Sequence, residues 1–188
     1  MIGVAKRIAT AIEARLEART FLPLLTVALL ATWYGLGPSL ARIVELTGRR
    51  FVDMQPGITA AELIVQLAAY TPATVSFYLA WLVFDFAWPF VTYTAMLFMS
   101  AWLLQRAGGA WPTRLWWFVG VAYATVAMDW AENVAFWLLA GSYGATAWVA
   151  AIAVLAHRAK LAFNFAFNGL FLVGLLAAGA ALTRQSRR

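Results

Sequence analysis

Residues 75–104 of the chain read VSFYLAWLVFDFAWPFVTYTAMLFMSAWLL, and Asp85 is the only charged residue among them. A helix of about 20 apolar residues crosses the hydrocarbon core of a bilayer, so this run is long enough to cross with some tilt. Lipid offers no partner to backbone polar groups, which requires such a run to be helical. Pro89 lies four residues after Asp85 and predicts a kink there. The stretch therefore predicts a membrane-spanning helix that carries one acid.

The composition supports the same class. Of the 188 residues, 64% are hydrophobic and 12% are charged, and the mean hydropathy is +0.77. Soluble domains are about half apolar and about a quarter charged, so we expect one integral membrane domain over residues 1–188. The chain has no cysteine, which excludes disulfides, thiolate zinc sites and iron–sulfur clusters. Its single histidine, His157, disfavours a haem held by two histidines.

The other apolar segments extend the prediction to an all-α, integral membrane four-helix bundle. Ile8 and Ile12 recur at helical spacing among charged residues, so residues 1–20 are expected to form an amphipathic helix on the cytoplasmic surface. A similar pattern at residues 58–70 predicts a helix along the outer interface. The predicted spans cover residues 21–40, 75–104, 115–140 and 160–182, with a bend at residues 35–38 of the first.

The segment 145–182 leaves two arrangements open, one long helix or two helices. A single helix would be about 55 Å long, whereas the hydrocarbon core of a bilayer is about 30 Å thick. We therefore expect an interfacial helix at residues 146–158 on the outer side, followed by a separate span from residue 160.

The distribution of positive charge predicts an orientation. If both termini are cytoplasmic, nine Lys and Arg residues lie inside and five lie outside, in agreement with the positive-inside rule. The formal net charge of +6 is then mainly an orientation signal that also favours contact with anionic membrane lipid. Nucleic acid is not an expected partner.

Three acids interrupt the apolar segments. Asp85 lies in the second predicted span, and Asp129 and Glu132 lie in the third. Each costs about 2.5–3.5 kcal/mol at the centre of a spanning helix, so each is expected to meet a partner, a proton, a metal ion or water. Asp129, Glu132 and Asn133 share one helix face, because they are three and four residues apart.

Lys160 opens the fourth predicted span, and Asn164 and Asn168 follow it at four-residue intervals on the same stripe. In the expected topology, three spans present polar faces at similar depth. This predicts a common polar pocket in the outer half of the bundle. Its candidate catalytic residues are Asp129, Glu132 and Asp85, and its candidate ligand-binding residues are Asn133, Lys160, Asn164, Asn168, Tyr78 and Tyr93.

Two kinds of chemistry and one structural role fit such a pocket. Neighbouring carboxyl groups do not all ionise in a low dielectric, so one would keep its proton and another its charge, which supplies a general acid and a general base. Alternatively, Asp85, Asp129 and Glu132 would bind a divalent cation, since oxygen ligands suit magnesium and calcium. In the structural alternative, the polar residues join the helices by hydrogen bonds. Two positions are open for His157: with Arg158 it contacts lipid headgroups at the surface, or it joins the carboxylates.

The spans also resemble a group of small, uncharacterised, four-span bacterial inner-membrane proteins. The resemblance rests on an aspartate followed by proline in the second span, an Asp-x-x-Glu-Asn motif in the third and a lysine opening the fourth: Asp85 and Pro89, Asp129-x-x-Glu132-Asn133, and Lys160. It covers most of the chain from Asp53 onward. It implies a multi-pass protein of the bacterial inner (plasma) membrane, and it implies no reaction, cofactor or ligand.

Three functions remain open at this stage. The first is a lipid-binding protein or a subunit of a membrane complex, as a homo-oligomer or with other chains. The second is a membrane-embedded enzyme that acts on a lipid or isoprenoid through the acids or a divalent cation. The third is a component of proton or ion transport, since acids inside membranes commonly carry that work.

Overall fold

The computed structural model describes residues 2–14, 17–107, 116–141 and 146–185, and all regular secondary structure in these ranges is helical. A π-helical turn, Thr32–Leu36, joins α2 to α3, and a 3-10 turn, Val52–Met54, lies between α3 and α4. The all-α prediction is confirmed. The helices are α1 (Ile2–Glu13), α2 (Ala18–Ala31), α3 (Gly37–Thr47), α4 (Ala60–Ala68), α5 (Pro72–Arg106), α6 (Trp116–Ala140) and α7 (Ala147–Gln185).

Three helical segments of the described residues are long and apolar enough to cross a membrane: Phe21–Thr47, Pro72–Arg106 and Ala147–Arg184. The helix predicted at 115–140 is present as α6, but it is not among the three. Its acids, its asparagine and its tryptophans lower its hydropathy. The fold is therefore all-α with three candidate spans, and a fourth span stays a prediction.

The expected break between residues 158 and 160 is wrong. Helix α7 runs without interruption over Ala147–Gln185, 39 residues, which is about 58 Å at 1.5 Å per residue. The physical reason lies in local propensity. Between Ala147 and Asn168 the chain has neither proline nor glycine and is rich in alanine, which is the best helix former. The predicted interfacial helix at 146–158 is consequently the first part of α7.

The first predicted span, residues 21–40, is too short. The helical segment continues through the π-helical turn and α3 to Thr47. At the predicted bend, Gly35 packs against the ring of Phe84, where an added Cβ would lie 2.7 Å from a ring atom. Glycine therefore allows the Phe84 ring to lie directly against the backbone here, and a larger residue would require that ring to shift. The neighbouring Thr32 hydroxyl accepts a hydrogen bond of 2.9 Å from the Trp88 indole.

The amphipathic helix predicted over residues 1–20 is shorter than expected, because α1 ends at Glu13 and α2 begins at Ala18. The helix predicted at 58–70 is confirmed as α4. Thr59 and Glu62 form a capping box at its N-terminus, which satisfies free backbone N–H groups there. The sequence also predicts a short basic turn at residues 106–114 and a stop of the third predicted span at residues 141–144; both lie largely outside the described residues.

The chain divides into two compact units. The first consists of residues 1–28, 91–125 and 162–188, and the second of residues 29–90 and 126–161. In the first unit, Ala9 and Ile12 of α1 are buried with residues of α5, α6 and α7. Phe118 and Phe167 stack there with ring centroids 4.7 Å apart. The apolar face of α1 is therefore packed against helices.

The second unit owes its core to the connection between α3 and α4. Helix α3 ends at Gly48, whose positive φ of 69° closes the helix in a conformation that favours glycine. The chain then places Phe51 and Val52 in the core, both fully buried. Phe51 stacks on Trp81 of α5, with ring centroids 4.5 Å apart. This packing fixes the 3-10 turn that follows Phe51.

Candidate functional site

The second unit contains a polar core built on α5, α6 and α7, which we define as Asp53, Tyr78, Trp81, Asp85, Asp129, Glu132, Asn133, His157 and Lys160. Tyr78, Trp81 and Asp85 lie three and four residues apart on α5 and therefore share one face of that helix. All of these residues except Lys160 are buried, and the Lys160 side chain is only 12% exposed. The core is thus a set of ionisable groups enclosed by helices.

The Asn133 amide links the acids of α5 and α6. Its Nδ2 donates to Asp85 Oδ2 at 3.1 Å and to Asp129 Oδ2 at 3.3 Å. Asn133 can serve both acids because it lies four residues after Asp129, one helical turn away. The two carboxyl groups therefore meet at a shared donor instead of standing separately against lipid.

Lys160 and His157 link α7 to the acids of α6. The Lys160 ammonium lies 3.1 Å from Asp129 Oδ1 and also contacts Glu132 Oε2. His157 Nδ1 lies 2.8 Å from Glu132 Oε1. The hydrogen-bonded chain thus runs from Asp85 through Asn133, Asp129, Lys160 and Glu132 to His157. The interpretation of His157 as a surface residue is wrong, because the side chain is buried; the alternative that it joins the acids agrees with the structure.

Asp53 is a member of the core that the sequence did not indicate. It lies in the 3-10 turn Val52–Met54 and is buried. Burial raises the pKa of its carboxyl group to about 6, while the charge of Lys160 opposes the rise and that of Glu132 adds to it. The signal that the sequence offers is the apolar pair Phe51 and Val52 directly before Asp53, inside an otherwise polar connection.

Replacing Asp53 by Asn should stabilise the protein at neutral pH. A carboxyl group whose pKa is raised to about 6 on folding binds its proton more tightly in the folded protein than in the unfolded chain, where the pKa is about 3.9. Its contribution to stability is therefore complete below about pH 4 and is lost as the pH rises through about 6. Two pKa units correspond to about 3 kcal/mol.

The measurement is the free energy of unfolding in mixed micelles for wild type and Asp53→Asn, between about pH 4 and about pH 8. We expect no difference at the acidic end and a gain of about 2–3 kcal/mol for the variant at the alkaline end. A difference that is the same at every pH would show that Asp53 does not titrate in this range.

The polar core contains more acidic than basic side chains. Four carboxyl groups (Asp53, Asp85, Asp129 and Glu132) share one lysine, Lys160, and one histidine. Of the acids in the described part of the chain, Lys160 contacts Asp129 and Glu132. Since an unpaired charge in a low dielectric is costly, the acids without a cationic partner must carry protons or meet a cation from outside the chain.

Several polar atoms of the core also lack partners. Among the described residues, five buried side-chain atoms of the core make neither a hydrogen bond nor an ion pair: Asp53 Oδ1, Tyr78 Oη, Trp81 Nε1, Asn133 Oδ1 and His157 Nε2. Buried polar groups are hydrogen-bonded in the large majority of cases. Five exceptions in one cluster distinguish this core from ordinary polar contacts between helices, whose groups satisfy each other.

The remaining predicted site residues lie in the first unit. Tyr93 Oη donates to Asn164 Oδ1 at 2.6 Å, and the Asn168 amide donates to the same oxygen. The structure thus assembles Asp85, Asp129, Glu132, Asn133, Lys160 and Tyr78 in the second unit, and it groups Tyr93, Asn164 and Asn168 with each other in the first.

In the structure, the three acids of the proposed divalent-cation site contact donor groups of the chain itself. Among the residues described, no three His, Asp or Glu side chains are placed together as metal ligands. The Lys160 ammonium stands against Asp129 and Glu132, and the Asn133 amide stands between Asp85 and Asp129. Cationic and amide donors of the chain itself therefore hold these three acids.

Comparisons with protein-family models, with curated proteins and with solved structures yield no match to this chain. The resemblance to four-span bacterial proteins, the orientation of the chain and its location in an inner membrane accordingly stay predictions. What the chain does must be argued from the polar core itself.

Proposed function

We propose that this chain is an integral membrane protein that binds a lipid-soluble molecule, and that the polar core receives the polar group of that molecule. The observation that carries the proposal is the set of five buried polar atoms without a hydrogen-bond partner. A bound polar group would satisfy these atoms, whose desolvation otherwise costs about 1–3 kcal/mol each. Three helices long and apolar enough to span a membrane support the location.

The unpartnered atoms offer both kinds of hydrogen bond. The Trp81 indole is a donor, the Tyr78 hydroxyl is a donor and an acceptor, and the Asn133 carbonyl is an acceptor. A purely structural role does not require this arrangement, because polar residues that join helices pair with each other. A small polar headgroup that accepts from one side and donates to the other fits it better.

Removing two of these polar atoms while keeping an aromatic ring at each position should abolish binding without unfolding the protein. Tyr78→Phe combined with Trp81→Phe deletes a hydroxyl and an indole N–H that make no hydrogen bond to any described residue, so the stability that is lost comes mainly from the smaller ring at position 81. Native mass spectrometry of the protein from neutral detergent should detect one bound molecule in wild type and none in the double variant.

The matched control is Trp130→Phe, which deletes an indole N–H that donates to the Phe86 carbonyl at 2.8 Å. We expect this variant to lose about 1 kcal/mol of stability and to keep the bound molecule. If wild type carries no molecule of defined mass, or if the double variant carries as much as wild type, the binding function is refuted.

A second function, acid–base catalysis on a lipid or isoprenoid, is favoured by one specific contact. Glu132 Oε1 lies 2.8 Å from His157 Nδ1, and His157 Nε2 has no partner among the described residues. A carboxylate on one ring nitrogen fixes the tautomer and leaves the other nitrogen to exchange a proton. Conversion of the bound molecule by wild type, and its unchanged recovery from His157→Gln, would identify the protein as an enzyme. Proton or ion transport and assembly with other chains stay predictions of the sequence.

A further inference from the structure

The four acids of the polar core differ in their counter-charges. Asp129 and Glu132 both contact Lys160. Among the described residues, Asp85 accepts a hydrogen bond from the Asn133 amide and forms no ion pair, and Asp53 Oδ1 makes no hydrogen bond. Asp53 and Asp85 are therefore the two acids that no cation of the described chain contacts.

Aromatic packing brings the two acids into one part of the core. Phe51, which lies two residues before Asp53, contacts both Trp81 and Tyr78 on the face of α5 that carries Asp85. Tyr78 and Asp85 lie seven residues apart on α5, two helical turns along one face. The 3-10 turn of Asp53 and one face of α5 thus bring the two carboxyl groups to the same part of the core.

Aromatic rings border the two acids. Trp81 lies on the same face of α5 as Asp85 and stacks on Phe51, two residues before Asp53. The Tyr78 ring lies 6.0 Å from Phe51. Aromatic faces attract cations, most strongly when the cation is desolvated.

The cluster has a second feature that indicates a ligand. Tyr78 Oη and Trp81 Nε1 belong to almost completely buried side chains beside the two acids, and neither atom has a hydrogen-bond partner among the described residues. An apolar cavity of about 490 Å³ also shares a residue with the turn that carries Asp53. Its lining consists of Leu40, Ala41, Val44, Arg50 and Met54.

We infer that the bound molecule carries a positively charged nitrogen on an apolar chain, and that Asp53 and Asp85 hold this organic ammonium group beside the rings of Tyr78 and Trp81. An ammonium supplies the positive charge that the two acids lack, since Lys160 is already engaged by Asp129 and Glu132. The cavity that shares Met54 with the turn of Asp53 gives room for part of the apolar chain. This inference rests on the proposed binding function and specifies the class of ligand.

The test compares three probes of equal chain length: octylammonium, whose N–H groups donate to the acids and to the Tyr78 hydroxyl, its uncharged isostere nonane, and octyl sulfate. Each is titrated into purified full-length protein in nanodiscs of zwitterionic lipid, and saturable binding is followed by tryptophan fluorescence. We expect the ammonium to bind at least about tenfold more tightly than the isostere, and the sulfate to bind most weakly. In Asp53→Asn combined with Asp85→Asn, this preference should disappear while the affinity for the isostere remains.

The control Glu45→Gln removes an exposed acid that pairs with Arg42 and should leave the preference for ammonium unchanged. If the isostere or the sulfate binds as tightly as the ammonium, the ligand class is wrong, but the binding function stands. If the double variant keeps the preference, the two acids do not hold the ammonium. If none of the probes binds saturably while native mass spectrometry detects a bound molecule in wild type, the ligand class is wrong and the binding function stands. If wild type carries no bound molecule either, both are contradicted.

Discussion

Lys160→Met should lower the free energy of unfolding by about 3–5 kcal/mol, because it removes one partner of a buried ion pair and leaves the other uncompensated. The Lys160 ammonium contacts both Asp129 and Glu132. Without the Lys160 ammonium, the carboxyl groups of Asp129 and Glu132, which lie on neighbouring turns of α6, have no cation beside them. The measurement is reversible unfolding in mixed micelles by titration with a denaturing detergent.

The control is Arg158→Met, which removes an exposed cation two residues away on α7. We expect a change within about 0.5 kcal/mol, as for most surface substitutions. The double change of Lys160→Met with Glu132→Gln removes both partners and should cost less than the sum of the single changes, with a coupling of about 1–3 kcal/mol. Additive effects would mean that the ammonium and Glu132 do not interact.

Phe51→Ala should also destabilise the protein by about 3–5 kcal/mol, the usual cost of deleting a buried phenyl ring. Phe51 is completely buried in the second unit. Its ring stacks on Trp81 at 4.5 Å and on Tyr78 at 6.0 Å. Because these contacts fix the 3-10 turn, the change should also release Asp53 and weaken the dependence of stability on pH.

Phe165→Ala is the matched control, since the same substitution removes a ring that is 75% exposed on α7. We expect less than about 1 kcal/mol for this change, because the ring leaves no internal cavity. Unfolding in the same mixed micelles compares the two variants. Equal effects at both positions would show that Phe51 is not a core residue.

The central acids were predictable from the sequence because charges stand out in apolar segments. Asp85, Asp129 and Glu132 interrupt long apolar runs, and their cost in lipid predicts that they meet partners. Three- and four-residue spacing placed Asn133 beside Asp129. The structure brings these residues together with Lys160 in the second unit.

Helical periodicity correctly predicts which residues share a face of a helix, but it does not predict that they lie at the same depth along the helix. Lys160, Asn164 and Asn168 follow one stripe of α7, but eight residues rise about 12 Å along the axis. A shared face therefore does not bring residues to the same site, and the two asparagines lie in the first unit with Tyr93. Asp53 was missed for another reason. Its burial depends on Phe51 packing against Trp81, a contact between distant parts of the sequence.

Bilayer thickness and local helix propensity predict different lengths for α7. Bilayer thickness favours a short span, whereas alanine-rich sequence without glycine or proline between Ala147 and Asn168 favours an unbroken helix. Local propensity prevails, and one helix of 39 residues forms. Its continuity places His157 and Lys160 one turn apart, where both reach Glu132.

Whether acids from separate helices form a single cluster can be read directly from a high-resolution cryo-electron microscopy map of the protein in lipid nanodiscs. We predict density that joins Lys160 to both Asp129 and Glu132, and the Asn133 side chain within hydrogen-bonding distance of Asp85. A map in which the side chains of Asp85, Asp129 and Glu132 point apart, with no common neighbour, would contradict the polar core and every function proposed for it.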